Sequence, residues 1–525
     1  MQAFSELLEN LYYTTASNEK QRLLLAYLKN TPDPDRGWAI AALAGTLRFE
    51  FFKRHTVKQL MLSRVDPDLF AMSYDYVGEV SETVAHLWPD ATEQPTTLPT
   101  LNELVTAFQQ VSKQKVSALL ADYLSIMTPP QRWALLKLGT RGLRVGMSAR
   151  SVKKVLATYG QVPVEEIEQL WHALAPPYAE LFAWLDGKQP KPDISNAVTF
   201  HPVMLSHPVQ DDDLEAIKAQ PGDWQIEHKY DGIRVQLVCN ANGKAIYSRT
   251  GDDISHAFPD VLEQLHFHGV VDGELLIMKD GNIDSFNALQ QRLNRKKPTK
   301  ALLASHPAGV MLYDILKYQQ SDVTRHSLNV RREYLEMWVA GNQQPAFQLS
   351  PVLAIHDEEE LDAAYRQAAD DPSVEGLMLK RLASPYTAGR PVGQWFKWKR
   401  EALLADAVIM YAQRGHGKRS SFYSDYTFGV WEGDKLLPIG KAYSGFTDDE
   451  LKKLDNWIRR HATGRFGPVR EVEKALVLEV AFDAVHPSTR HKSGVALRFP
   501  RVHRIRWDKP ASEADTLEAL KRLIR

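Results

Sequence analysis

The sequence predicts a multidomain protein of three parts: an all-α N-terminal domain, an α+β domain and a small C-terminal β-barrel. Three observations predict this. The chain has 525 residues, more than one ordinary hydrophobic core can organise, so roughly two to four domains are expected before any motif is read. From Phe4 to about Trp184 apolar residues recur at helical spacing, as in Phe4, Leu7, Leu8 and Leu11 and again in Val152, Val155 and Leu156. Beyond residue 195 the period changes to short alternating or apolar runs such as IRVQLV (233–238), VVDGELLIM (270–278) and GVMLYDIL (309–316), mixed with helical stretches.

In chain order, the helical region is broken by WPDATEQPTTLPT (88–100) and by the Pro129–Pro130 pair, and it ends in DGKQPKPDISNAVTFHP (186–202), which reads as a linker. A boundary near residue 195 gives a helical domain over 1–195 and an α+β domain over 196–402. After WFKWKR (395–400), Gly415, Gly417, Gly429, Gly433, Gly440 and Gly445 space short runs as in a small barrel, placing a third domain at 403–525. The charged run DEEE (357–360) reads as the solvated start of a helix.

Hydrophobic residues at 44% and charged residues at 25% are ordinary globular proportions. Lys plus Arg number 64 against 65 Asp plus Glu, so nucleic-acid affinity needs a local basic surface. A single cysteine, Cys239, excludes an internal disulfide framework and a four-cysteine zinc site, and fits a reducing cytoplasm. The start of the chain carries Glu6 and Glu9 and no basic residue before Lys20, the reverse of a secretory leader, and no apolar run is long enough to span a membrane.

The chemistry begins at QIEHKYDGIRVQLV (225–238). Trp224, Ile226 and His228 alternate with Glu227 and Lys229, then Ile233, Val235 and Leu237 alternate with Arg234 and Gln236, so YDG (230–232) reads as a hairpin turn. Parity puts Glu227 and Lys229 on one face, with Arg234 offered by the returning strand. By itself this is equally a solvated polar edge. In VVDGELLI, Asp272 and Glu274 share a face of an otherwise apolar strand, an arrangement that suits Mg²⁺ or a ribose hydroxyl as well as it suits an exposed turn. In QWFKWKR, Lys397 and Lys399 stand side by side while Phe396 and Trp398 face the other way, and two adjacent lysines imply an anionic partner such as phosphate. In EGLMLK (375–380) strict alternation sets Glu375 and Lys380 on opposite faces, so only a bulge at Gly376 brings them together. Residues 490–509 hold Arg490, Lys492, Arg498, Arg501, Arg504, Arg506 and Lys509 against the single acid Asp508, either a basic binding surface or a solvated charged edge.

These segments carry a resemblance. KYDGIR (229–234) resembles motif I of the covalent nucleotidyltransferases, and SRTGDD (248–253), VVDGE (270–274), LYD (312–314), EGLMLK, WFKWK and RIRWDK (504–509) resemble the remaining motifs in the expected order. The chain as a whole is similar to ATP-dependent DNA ligases, above all the bacterial kind with an N-terminal helical DNA-binding domain. GLRVGMS (142–148), GHGKRSSFYSDYTFGVWEG (415–433) and GKAYSGFTDDEL (440–451) extend the likeness over essentially the whole chain.

The resemblance implies an ATP-grasp-like nucleotidyltransferase domain followed by an OB-fold barrel. It implies Lys229 as nucleophile, Glu227 on the adenine amino group and Tyr313 stacked on the base. Arg234, Arg249 and Glu274 would hold ribose and phosphates, and Glu274 and Glu375 the metal. Lys380, Lys397 and Lys399 would touch phosphate oxygens, while Arg506 and Lys509 would orient the pyrophosphate. ATP would be the AMP donor, with Mg²⁺ or Mn²⁺. The partner would be nicked duplex DNA, gripped by Arg141, Arg144, Arg150, Lys153 and Lys154 and encircled by a monomer at the nucleoid, alongside repair nucleases or helicases. The chain departs from the family pattern at Arg390, a phosphate or ribose contact that is followed by Pro391 instead of a second basic residue, and at Tyr313, where Phe is commoner.

An ordinary lysine has a pKa of about 10.4, so the site must favour the free amine, and Arg234, Lys397 and Lys399 around Lys229 are the groups expected to do so. RNA ligases and capping guanylyltransferases share the K-x-D-G lysine, but neither chemistry needs a helical region of this length. NAD-dependent ligases use a zinc module whose cysteines are missing here. A catalytically inactive DNA-binding scaffold is disfavoured by the retention of Lys229, the carboxylates and both lysines of WFKWK.

Overall fold

A computed structural model describes all residues except 91–96, 294, 416–420, 444–445 and 525. Gly417 and Gly445, with parts of the segments 88–100, 415–433 and 440–451, therefore lie outside the described residues. The chain divides into two compact units, one of residues 193–401 with 168–173, the other of residues 1–167, 174–192 and 402–524.

The second of these units opens with helices. Gln2–Tyr13 is helical because Phe4, Leu7, Leu8 and Leu11 form one buried stripe. Leu101–Gln110 starts at a capping box between Thr100 and Glu103, and Pro129–Gly139 starts with proline in its first turn, where the missing N–H costs no hydrogen bond. Arg132 is buried and donates to the carbonyls of Leu124, Ala85 and Trp88 and to Asp90 at 2.6 Å, tying three helical segments together. Among the described residues no helix is long and apolar enough to cross a membrane.

The C-terminal part of this unit is a β domain. Its longest strand, Leu403–Arg414, pairs with Tyr423–Glu432, Val469–Val472 and Val477–Phe482, and Lys435–Tyr443, Ala462–Phe466 and Arg501–Arg506 are the outer strands beyond these three. Helix Asp448–Arg460 buries Leu451, Leu454 and Ile458 in the same core as Ile409, Tyr426 and Phe428. Among the described residues the pairings form half-barrel sheets, a seven-stranded one branched at Leu403–Arg414 and a two-stranded one of Ala484–Pro487 with Val495–Arg498.

The unit around residues 193–401 holds two sheets. Five strands run in the order His207–Pro208, Trp395–Lys399, Val374–Arg381, Trp224–Tyr230 and Val352–Leu353. The other sheet is built on Gly243–Ser248, Ile233–Asn240, Gly269–Lys279 and Ala308–Tyr318. Ile226, Leu377, Leu379 and Phe396 turn one face of the first sheet into a core with Leu361 and Ala368 of helix Glu358–Asp370. That helix starts where the DEEE run predicted, with Asp357 accepting from Glu360 N at 2.8 Å. Val235, Leu237, Val271, Leu275 and Ile315 bury the outer face of the second sheet beneath Leu335 and Trp338 of helix Leu328–Gly341. The other face of the second sheet carries Arg234, Asp272 and Glu274 beside apolar residues, among them Val238, Ala245 and Val270, which cluster with Tyr386 and Trp395.

Candidate active site

The YDG segment is a corner between sheets, which corrects the expected hairpin. Trp224–Tyr230 pairs with Val374–Arg381 and Val352–Leu353, whereas Ile233–Asn240 pairs with Gly243–Ser248 and Gly269–Lys279. Asp231 N donates to Ser373 O at 2.8 Å, and a Cβ on Gly232 would lie 2.5 Å from Leu275 O, so glycine is what lets the chain cross against the second sheet. The crossing sets Lys229 on one sheet opposite Glu274 on the other.

The bulge that alternation required is present. The register of Val374–Arg381 shifts between Val374 and Gly376, opposite Tyr230 and Lys229. Gly376 has φ +145°, and a Cβ there would lie 2.1 Å from Trp398 O, so no other residue fits unchanged. The extra residue, Glu375, is thereby turned toward Lys229, whose Nζ donates to Glu375 Oε2. At the other end of the strand Lys380 forms a buried ion pair with Glu227 at 2.9 Å. Lys380, expected to touch phosphate, is thus directed in this structure at the Glu227 carboxylate.

Glu227 is 1% exposed. Its Oε2 accepts from Gln225 Nε2 at 3.1 Å as well as from Lys380, but its Oε1 is buried without a hydrogen-bond partner. A buried carboxylate oxygen in that state calls for a donor. Next to it the Tyr313 ring lies 4.4 Å from Lys380 Nζ and 5.9 Å from Arg234 Cζ, and its hydroxyl donates to Glu274 Oε2 at 3.3 Å. Arg234 is itself held fast, with Asp272 Oδ1 at 3.1 Å and Oδ2 at 2.5 Å and the Met204 carbonyl at 2.6 Å. Asp272 also accepts from the Tyr386 hydroxyl at 2.7 Å. Asp272 is therefore committed to positioning Arg234, while Glu274 faces the lysine.

Burial raises the Glu274 carboxyl to about 7; Lys229 and Arg234 oppose the shift, and the Glu375 charge adds to it. Lys397 is lowered, first by burial and then by Lys399, Lys229, Arg390 and Arg249. Arg249 is lowered by burial and by Arg234 and Arg390. Six cations, Lys229, Arg234, Arg249, Arg390, Lys397 and Lys399, thus crowd one patch beside the Tyr313 and Glu227 recess. Mutual repulsion on that scale is relieved by a polyanion.

The arrangement fits a purine nucleotide: an acceptor awaiting a donor, an aromatic face, then a cationic patch for phosphates. It also fits Mg²⁺. Among the described residues no group of three or more His, Cys, Asp or Glu could hold a metal, but Glu274 and Glu375 together match an ion that keeps waters and takes phosphate oxygens.

Other expected residues lie elsewhere. Arg506 and Lys509 belong to the unit that contains the β domain, where Lys509 pairs with Asp406 at 2.6 Å and Arg506 with Asp508 at 3.1 Å, Asp406 at 3.6 Å and Glu479 at 3.7 Å. Arg141, Arg144, Arg150 and Lys154 are exposed and Lys153 is partly exposed, along the segment before helix Ala149–Gly160 and its first turns. Sequence reasoning missed Gln225, Tyr386 and Trp395. Gln225 shares the parity of Glu227 and Lys229 and could have been found that way. Tyr386 and Trp395, whose ring lies 4.7 Å from Lys380 Nζ, enter only through tertiary packing.

Fold and site fit a nucleotidyltransferase, and comparison with known proteins agrees on that class. Family models described as ATP dependent DNA ligase domain and ATP dependent DNA ligase C terminal region match residues 203–399 and 419–509. A probable DNA ligase of Koribacter versatilis is 33% identical, covering 100% of this chain and 96% of that protein. DNA ligase 1 of Korarchaeum cryptofilum is 29% identical over 82% of this chain and 80% of its own length. A solved structure described as Pmar-Lig_Pre shares the fold, with a TM-score of 0.63 at 16% identity over 96% of this chain and 99% of that one. The chain belongs to the ATP-dependent DNA ligase family.

Proposed function

We propose that Lys229 carries AMP during ATP-dependent sealing of nicked duplex DNA. The single observation that supports this most is the recess itself: the orphaned Glu227 Oε1, the Tyr313 face and the Lys229–Glu375 pair lie in the order adenine, base stack and α-phosphate. Adenine bound there donates its amino group to Glu227 while its ring lies on Tyr313. The phosphates enter the patch of Arg249, Arg390, Lys397 and Lys399.

Mg²⁺ held by Glu274 and Glu375 would neutralise charge on the phosphates. Glu375 engaged in that way releases Lys229 Nζ, which is then free to turn to the α-phosphorus. The amine attacks the α-phosphorus, a P–N bond forms as the bond to the β-phosphate oxygen breaks, and pyrophosphate leaves. Lys397 and Lys399 take up charge building on the α-phosphate oxygens. The adenylyl group then passes to a 5′-phosphate, and the adjacent 3′-hydroxyl displaces AMP to close the strand.

In the same reading residues 1–195 form a helical DNA-binding domain that grips phosphates through Arg141, Arg144, Arg150, Lys153 and Lys154. Residues 196–402 form the adenylation domain, and residues 403–525 an OB-fold domain that brings Arg506 and Lys509 to the leaving pyrophosphate. A monomer closes around the duplex. The test is one gel in which the protein meets a nicked duplex with ATP or NAD and Mg²⁺. Sealing with ATP alone, through an acid-labile, alkali-stable protein–AMP adduct on Lys229, is expected; an adduct on another residue overturns the assignment.

A further inference from the structure

We propose that a recess between helices Gln2–Tyr13, Val80–Leu87 and Pro129–Gly139 is a binding site for an alkylammonium cation. Its cavity of about 90 Å³ is lined by Tyr12, Tyr13, Trp133, Glu9, Glu82 and His86, closed on one side by the Pro129–Pro130 pair. That is several times the room one water molecule needs.

The rings are set as walls. Tyr12 meets Tyr13 edge-on at 5.2 Å with 83° between planes, and meets Trp133 at 5.2 Å with 64°. Packing of the helix does not account for them, because Phe4, Leu7, Leu8 and Leu11 form its buried stripe while Tyr13 is 72% exposed and Tyr12 and Trp133 remain partly accessible. Aromatic faces gathered round a small cavity attract cations through the negative potential above each ring, and quaternary ammonium groups are the ligands such cages hold best.

The charge agrees with the shape. Glu9 stands one helical turn before Tyr12 and Tyr13, and Glu82 comes from the facing helix. Neither carboxylate makes an ion pair among the described residues, no Lys or Arg lines the cavity, and His86 is its one imidazole. Glu82 lies near enough to Tyr12 to help hold its hydroxyl above the ordinary range, after the larger effect of burial. Two acids without ion-pair partners beside three rings favour a cation here, although Tyr12, Glu82 and Trp133 also line an adjoining cavity with Arg54, Lys137 and Arg144.

The experiment is isothermal titration of the full-length protein, free of DNA and nucleotide, with tetramethylammonium chloride at an ionic strength fixed by sodium chloride. Saturable binding is expected, absent with tert-butanol, which has similar bulk and no charge. Tyr13→Ala and Glu82→Gln should each weaken it about three- to fivefold, the scale of one exposed cation–π interaction, with nick sealing unchanged. Spermidine and a blocked lysine then identify the source. Tighter binding of blocked lysine assigns the cage to a side chain offered by a protein partner, and tighter binding of spermidine assigns it to a free polyamine. No saturable binding of any cation, equal binding of tert-butanol, or unchanged affinity in the double variant overturns the proposal.

Discussion

Lys229 Nζ donates to Glu375 Oε2 across a bulge that Gly376 makes possible, so the lysine of the K-x-D-G motif rests as half of an ion pair. In the proposed mechanism the pair couples lysine and metal chemistry, because one carboxylate would serve both.

Glu375→Gln separates the two roles. It keeps the side-chain shape but removes the counter-ion and a metal ligand, and self-adenylation should fall on the order of 10²-fold, the scale of deleting one group that stabilises a transition state. The Mg²⁺ concentration for half-maximal rate should rise as well. Labelling with α-labelled ATP across a Mg²⁺ titration checks this, and an unchanged Mg²⁺ dependence removes Glu375 from the metal site. Lys229→Ala should give no adduct at any Mg²⁺ concentration.

Glu274 sets an acid limb. Its carboxyl titrates at about 7, so as pH falls through 7 the carboxylate is lost and with it the capacity to hold a cation. Self-adenylation should decline there, and more Mg²⁺ should move the limb to lower pH by competing with the proton. In stability the sign is opposite: the folded chain keeps a proton that an unfolded glutamate releases near about 4.3, so stability from this group falls as pH rises from there to 7. Glu274→Gln should erase both dependences, and a limb that stays near 7 in the residual rate of that variant belongs to another group.

Arg331 carries the strand of Tyr313. It is fully buried, pairs with Asp314 at 2.9 and 3.0 Å and donates to the carbonyls of His326 and Ser384 at 2.7 Å. Arg331→Met leaves Asp314 charged and unpaired, so a loss of about 3–5 kcal/mol is expected. Denaturant unfolding of the variant measures it, and a loss under about 1 kcal/mol would mean that water reaches the site.

Salt tests whether the cations of 141–154 grip DNA. Alanine at Arg144, Arg150 and Lys154 should flatten the slope of log affinity for a nicked duplex against log salt by about 0.9 for each phosphate that the variant no longer neutralises. Self-adenylation, which needs no DNA, should stay normal. A parallel loss of both would trace the defect to folding.

Arg506 tests which partner the C-terminal cations serve. If Arg506 orients the β- and γ-phosphates, it matters only until pyrophosphate has left. Arg506→Ala should slow adenylation of Lys229 by ~100-fold and leave closure of a pre-adenylated nick near normal. Asp406→Asn, which frees Lys509 of its 2.6 Å partner, should lower the KM for ATP. A selective defect in closing the pre-adenylated nick would show that Arg506 serves DNA.

Strand parity was enough to put Glu227 with Lys229 and Lys397 with Lys399, and to demand a bulge at Gly376, because side-chain direction along a strand is a local property with a period of two. The order of the motifs identified the family for the same reason, each motif being a short contiguous piece of chain. Which strands pair is a matter of long-range packing, and there local reading failed: YDG looks like a hairpin turn, yet Leu275 packs against Gly232 from another sheet and turns it into a corner. Tyr386 reaches Asp272 across 114 residues of sequence, and Glu227 Oε1 loses its water only when two sheets close over it. Burial raises Glu274 against the opposing pull of Lys229 and Arg234, and neither the burial nor that gathering of charges exists in an unfolded chain, where the same glutamate is solvated and alone.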